Sequence, residues 1–171
     1  MRFELFILPA ACVAAASANA EEYLTVSQAQ ALIFPGEALV DSSFVLNDKQ
    51  IDALVRATGP IARRQIRLWK SASGGWFFLH HVIVKGDRIV YAVGLNADGT
   101  VKGIEVLACL ALYDGIRRSG WRTQFFGKRS ADAAHLDNLK AVSGSTLSSN
   151  NLKAGIKRML AIHELFLAKD D

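Results

Sequence analysis

Cysteine is scarce in this sequence, with Cys12 and Cys109 the two that it contains. The first lies in a segment that reads as a leader, so one mature thiol is left and no internal disulfide can staple the fold. No Cys-x-x-Cys-His occurs, which excludes covalent attachment of c-type haem. Proline is sparse, at three residues, and no Pro/Gly-rich linker, repeat or low-complexity tract divides the chain. Apolar residues never form the uninterrupted run of about 20 that a permanent membrane-spanning helix requires. Lysine and arginine never cluster in runs longer than three, so the net charge of +4 reads as a solvated surface and not as a nucleic-acid footprint. The same mild excess would speed encounter with an acidic protein partner.

Familiar chemical sets are missing too. The sequence offers no Ser-His or Cys-His arrangement and no paired carboxylates at a visible site, so no catalytic residue is assigned. Of the four histidines, His80 and His81 are neighbours in a strand, where successive side chains point to opposite faces and do not converge on one metal ion. His135 and His163 lack ligand spacing, and His163 is expected in the core. Cys109, in the apolar run 104–112, is expected to be a buried, inert thiol. Arg63-Arg64 and Arg117-Arg118 read as solvated surface.

What is present begins with a targeting pattern. Met1-Arg2 supplies a positive charge, residues 5–16 are apolar, and Ser17-Ala18-Asn19-Ala20 ends in the small-x-small pattern of a signal-peptidase site. The expectation is a signal peptide over residues 1–20, an exported protein, and one domain over 21–171 without a transmembrane helix. Removing the leader takes away Arg2 and Glu4, which leaves the charge balance unchanged. One core suits that length.

The mature chain starts helical. Thr25 followed by Gln28 is a capping box ahead of a helix over 27–34, ended by Pro35-Gly36. A second helix starts at Asn47 or Asp48, with Ile51, Leu54 and Val55 at helical spacing, and Thr58-Gly59-Pro60 breaks it. The period then changes to two. Strands are expected at 65–70, 76–84, 89–95 and 101–108, joined by short turns at Gly74-Gly75, Lys85-Gly86-Asp87-Arg88 and Asn96-Ala97-Asp98-Gly99. Strands joined so tightly pair antiparallel. From Ser149, the residues Leu152, Ile156, Met159, Leu160, His163 and Leu167 fall on one helical face, with Lys153, Lys157, Glu164 and Lys169 around the opposite side. The fold class is α+β: an antiparallel β-meander framed by helices, with an amphipathic C-terminal helix packed on the sheet.

That last helix is preceded by Ser143-Gly144-Ser145-Thr146-Leu147-Ser148-Ser149. A helix N-terminus with unpaired N–H groups, a glycine that admits close approach and several hydroxyls is suited to a phosphate. By composition alone, the same residues also make an ordinary serine-rich helix cap.

The segment resembles the flavinylation motif of the FMN-binding domain family, which includes periplasmic subunits of sodium-pumping and related quinone oxidoreductases. The family pattern runs small or acidic residue, Gly, Ala, Thr, any residue, Ser or Thr. Ser143, Gly144, Thr146 and Ser148 match it, and Ser145 stands where Ala is usual. Residues 23–35, 103–107, 121–128 and 155–158 resemble the family in order and spacing as well. The resemblance implies FMN esterified through its phosphate to Thr146 by a separate flavin transferase that uses FAD and a metal ion. Ser143, Gly144, Ser145, Leu147 and Ser148 would form the rest of the binding loop. It further implies a periplasmic electron carrier whose partners are a membrane quinone oxidoreductase, a cytochrome or another redox protein. Many members carry Glu-Ser/Thr-x-Gly near the flavin ring; aligned on Gly115, this chain has Leu112 in place of the carboxylate. Tyr113, Trp121 and Phe126 are candidate walls for the ring. Two other readings stay open: a non-redox or sensory module that binds flavin or another phosphorylated ligand without a covalent bond, and a flavin-dependent reductase with its own substrate.

Overall fold

A computed structural model describes residues 21–168. Residues 1–20, expected to be a leader, and Lys169, expected on the last helix, lie outside the described residues. Among those described, no helix is long and apolar enough to cross a membrane.

The first two helices are set by their own caps. Thr25 accepts from Gln28 N at 3.2 Å while Gln28 Oε1 accepts from Thr25 N at 2.8 Å, and α1 runs Val26–Ile33. Asn47 and Gln50 make the same reciprocal pair, both at 3.0 Å, ahead of α2, Asp48–Thr58. Each box satisfies two N–H groups that a helix start leaves unpaired. Gly59, at φ +80, then ends α2 in a conformation that favours glycine.

The centre of the molecule is a meander of β4 (Gln65–Ser71), β5 (Trp76–Val84), β6 (Asp87–Leu95) and β7 (Val101–Cys109), every neighbour antiparallel. The β5–β6 hairpin closes through Lys85 and Gly86 at φ +52 and +90, the two positive φ values that a two-residue turn matched to strand twist requires. Three short strands absent from the sequence reading complete the sheet. β1 (Glu21–Glu22) pairs with β7, while β2 (Leu39–Asp41) and β3 (Phe44–Val45) both pair with β4. Two- and three-residue strands carry too little alternation to be seen in sequence; their partner defines them.

Both faces of the sheet are covered. On one side α1 docks Ile33 onto Gly94 and Gly103, which are register partners on β6 and β7. A Cβ at Gly94 would lie 2.1 Å from Ile33 Cγ2, so the glycines make the flat spot on which the helix sits. On the other side lies the long helix α5, Thr146–Ile162, followed by a π turn over His163–Leu167. Leu152, Ile156, Met159 and Leu160 are each at most 1% exposed, worth about 1.5–3 kcal/mol apiece in burial. His163 is buried and packs against Gly99. Cys109 is fully buried, and burial pushes its thiol up.

Two expectations are corrected. Lys153 belongs to the interior, not to the solvated side of α5: it is 6% exposed and its Nζ donates to the Asp137 and Leu139 carbonyls. Those oxygens belong to the last residue of α4 (Ala133–Asp137) and to the segment just after it, which fold over this part of α5. His80 and His81 do not part to opposite sides. Their rings stack with centroids 5.9 Å apart at 27°, and both line the space left where β5 runs beyond Leu79, its last β4 partner. Region 122–140, irregular in sequence, holds short helical turns around α4.

Candidate functional site

The loop before α5 is held from three directions. Trp121, in α3 (Ser119–Arg122), donates Nε1–H to Lys140 O at 3.0 Å, and Lys140 N donates to Gln124 Oε1 at 3.1 Å. Lys153 grips the carbonyls just before it. The 3-10 turn Ala111–Arg117 presses on it from the side, where a Cβ added at Gly115 would lie 2.3 Å from Val142 Cγ1. Only glycine lets these two segments touch, which gives the Gly115 alignment a structural reason.

Ser145 N then donates to Val142 O at 2.9 Å, with Gly144 between them at φ +79, the value a type II turn needs at its third residue. The turn delivers Ser145 as the N-cap of α5, yet its side chain makes no capping bond. Ser148 and Ser149 are fully buried and turn their hydroxyls back onto the Ser145 and Thr146 carbonyls, each at 2.9 Å. Ser145 is itself 5% exposed and faces Gly115. The loop hydroxyls thus divide: Ser145, Ser148 and Ser149 build the turn, while Ser143 and Thr146 face solvent. Thr146 is the first residue of a 17-residue helix whose leading N–H groups have no side-chain cap. A phosphate fits that place, since those N–H groups and the helix dipole both favour an anion there.

The three candidate ring walls differ in exposure and in what holds them. Tyr113 is 5% exposed and donates to Val84 O at 3.2 Å and Asp87 Oδ2 at 3.0 Å, tying the 3-10 turn to the β5–β6 hairpin; burial and the Asp87 bond push its phenol up. Trp121 is also 5% exposed, edge-on to Phe125 at 5.1 Å, so its role is to anchor the loop. Phe126 is 44% exposed, but the next residue, Gly127, bonds to Val101 at the start of β7.

Two apolar side chains do stand open at the loop's surroundings. Leu112 is 61% exposed on the 3-10 turn, and Leu147, beside Thr146, is 53% exposed. Asp114 is occupied with Arg117 at 2.6 Å, and the Arg117 guanidinium sits 3.4 Å over the Tyr23 ring. Sequence reasoning missed the Gln124–Lys140 and Lys153 clamps; polar residues that hold a loop through its backbone leave no periodic signal.

A phosphate-type anion site at a helix start, carrying an open threonine hydroxyl, is the class of site these elements define. Residues 85–161 match the family model of the FMN-binding domain, from the β5–β6 turn to Ala161. That match, over 77 of the 171 residues, makes this stretch of the chain similar to the FMN-binding domain family. No curated protein and no solved structure matches the chain.

Proposed function

We propose that this protein is an exported electron-transfer flavoprotein that carries FMN as a phosphoester of Thr146. In this reading residues 1–20 direct export and 21–171 form one periplasmic domain. Electrons pass to or from a membrane quinone oxidoreductase, a cytochrome or another redox protein. The carrying observation is that Thr146 offers an exposed hydroxyl at an uncapped helix N-terminus, inside the stretch that matches the FMN-binding domain.

Attachment needs an outside catalyst, because a threonine hydroxyl is a weak nucleophile at neutral pH and no base is hydrogen-bonded to it here. With a flavin transferase, Thr146 Oγ1 attacks the phosphorus on the riboflavin side of FAD. The new P–O ester forms as the pyrophosphate bond breaks, AMP leaves, and the hydroxyl proton goes to the transferase or to water. Gly144 and the first-turn N–H groups would hold the phosphate, with Ser143 free to add a hydrogen bond. Ser145, Ser148 and Leu147 shape the loop. Once bound, the flavin supplies the redox chemistry, and the protein's part is to hold and orient it. Leu112, which stands where many family members place a carboxylate, and Leu147 offer that ring an apolar surface.

The test is intact-protein mass spectrometry after export from a host that also expresses a flavin transferase. The expected result is a gain of FMN less one water, on the peptide that holds Thr146, and its loss in Thr146→Ala with an unchanged circular dichroism spectrum. Covalent flavin surviving Thr146→Ala would overturn the assignment. No gain in the native protein, with the transferase active on a control, would favour the non-covalent module instead.

A further inference from the structure

A second site lies against the opposite side of α5 from the loop anchors, and most of its walls come from outside the matched stretch. β4 and β5 pair only from Lys70↔Trp76 to Arg67↔Leu79, and beyond that point they part. The gap opens into a cavity of about 420 Å³, bounded by the end of α2, residues 61–67, the free edge of β5 and one face of α5. That volume is within the range of about 300–1,000 Å³ usual for small-molecule sites.

The charge in this cavity is of one sign. Arg63, Arg67, Arg158, His80 and His81 line it, and no aspartate or glutamate does. Arg158 donates to Pro60 O at 3.0 Å, but it faces no carboxylate, and its Nε is buried without a partner. Burial holds the guanidinium below its ordinary pKa, and burial with the neighbouring Arg158, His81 and Arg63 pushes His80 down to about 4. A half-buried cation with no counter-charge costs free energy that an incoming anion would recover. The remaining walls are largely apolar, Ile61 and Val82 among them. Flexible surface arginines need no such explanation; a half-buried arginine on the cavity face of a helix does.

We propose that this cavity binds a small organic anion, with an apolar or aromatic body held between β5 and α5 and its carboxylate or sulfonate paired with Arg158 and Arg63. The site is separate from the flavin attachment. Thr146 does not line the cavity, and Asn151, the lining residue of α5 closest to it in sequence, is five residues on, about 7.5 Å along the helix axis and roughly 140° around it.

The test uses the mature protein with and without covalent flavin, and 2-naphthoate as probe against uncharged 2-naphthamide, by calorimetric titration. The expected outcome is that naphthoate binds tenfold or more tightly than the amide, the difference expected of one charge-assisted contact. Arg158→Met should remove that preference. Ala154→Phe, which fills the cavity from an exposed position without touching a charge, should abolish binding of both probes. Thr146→Ala should bind naphthoate as the native protein does. Equal affinity for the two probes, or full binding in Ala154→Phe, would overturn the proposal. Loss of naphthoate binding on flavin loading would assign the cavity to the flavin instead, and would overturn it too.

Discussion

A mostly buried imidazole beside a guanidinium gives up its proton early, and His80 is in that position. Its Nδ1 lies 3.3 Å from the Tyr91 hydroxyl, and desolvation first, then Arg158, lowers its pKa from 6.5 to about 4. The native state therefore keeps His80 neutral, whereas the unfolded chain takes up the proton as pH falls through about 6.5. The contribution is complete above that value and is lost progressively toward pH 4. Linkage puts the loss at about 2 kcal/mol between pH 7 and pH 5. Urea unfolding at the two pH values should show this drop, and His80→Asn should remove most of it. His81, lowered by burial and by Arg88, leaves a remainder of the same sign. An unchanged slope in His80→Asn would mean that the fold tolerates the charged ring. The start of α5 illustrates the other side of legibility at this scale: the sequence puts a loop glycine and then a helix there, and both are in place because both are local. Lys153 and the paired histidines were misread because burial is decided by what folds over a residue, and that is not written beside it.

Elements defined by their own ends were legible, and those defined by their neighbours were not. The Thr25–Gln28 capping box, the start of α2 at Asn47-Asp48, the breaks at Pro35-Gly36 and Gly59-Pro60, and the meander strands follow from residues within a few positions of each other. The three short strands and the 3-10 turn at Ala111–Arg117 exist through β4, β7 and the loop they touch. The seat of α5 shows how closely such contacts are fitted. At Gly155 a Cβ would come within 1.8 Å of the Tyr91 hydroxyl and 3.1 Å of Cζ, and Tyr91 is fully buried with no room to retreat. Gly155→Ala gains helix propensity of under about 1 kcal/mol but must push α5 off β6. The net expectation is destabilisation of about 1–3 kcal/mol. Tyr91→Phe removes the closest atom, so adding it to Gly155→Ala should recover part of that loss. A double-mutant cycle by chemical denaturation checks this, with a coupling of about 1 kcal/mol or more expected. Additive effects would show that α5 can shift to accommodate the methyl group.

At the scale of the whole molecule, the matched stretch and the folding unit do not coincide. Residues 85–161 supply β6, β7, the attachment loop and nearly all of α5. Yet β6 pairs along its length with β5, from Val84↔Asp87 to Trp76↔Leu95, and β5 lies before that stretch. Cut at residue 85, the chain would expose a β6 edge of nine residues and take away the strand on which α5 rests. It would also lose α1, leaving Ala92, Gly94, Gly103 and Leu107 bare on the other face. An open edge beside two uncovered apolar faces favours association over folding. Isolated residues 85–161 are therefore expected to aggregate or to lack dispersed amide resonances, whereas 21–168 should give a cooperative unfolding transition. A folded 85–161 fragment that still accepted flavin on Thr146 would instead show that β1–β5 and both first helices are an addition. In that case the cavity beside Arg158, which α2, β4 and β5 help to wall, would be a reason for those three elements.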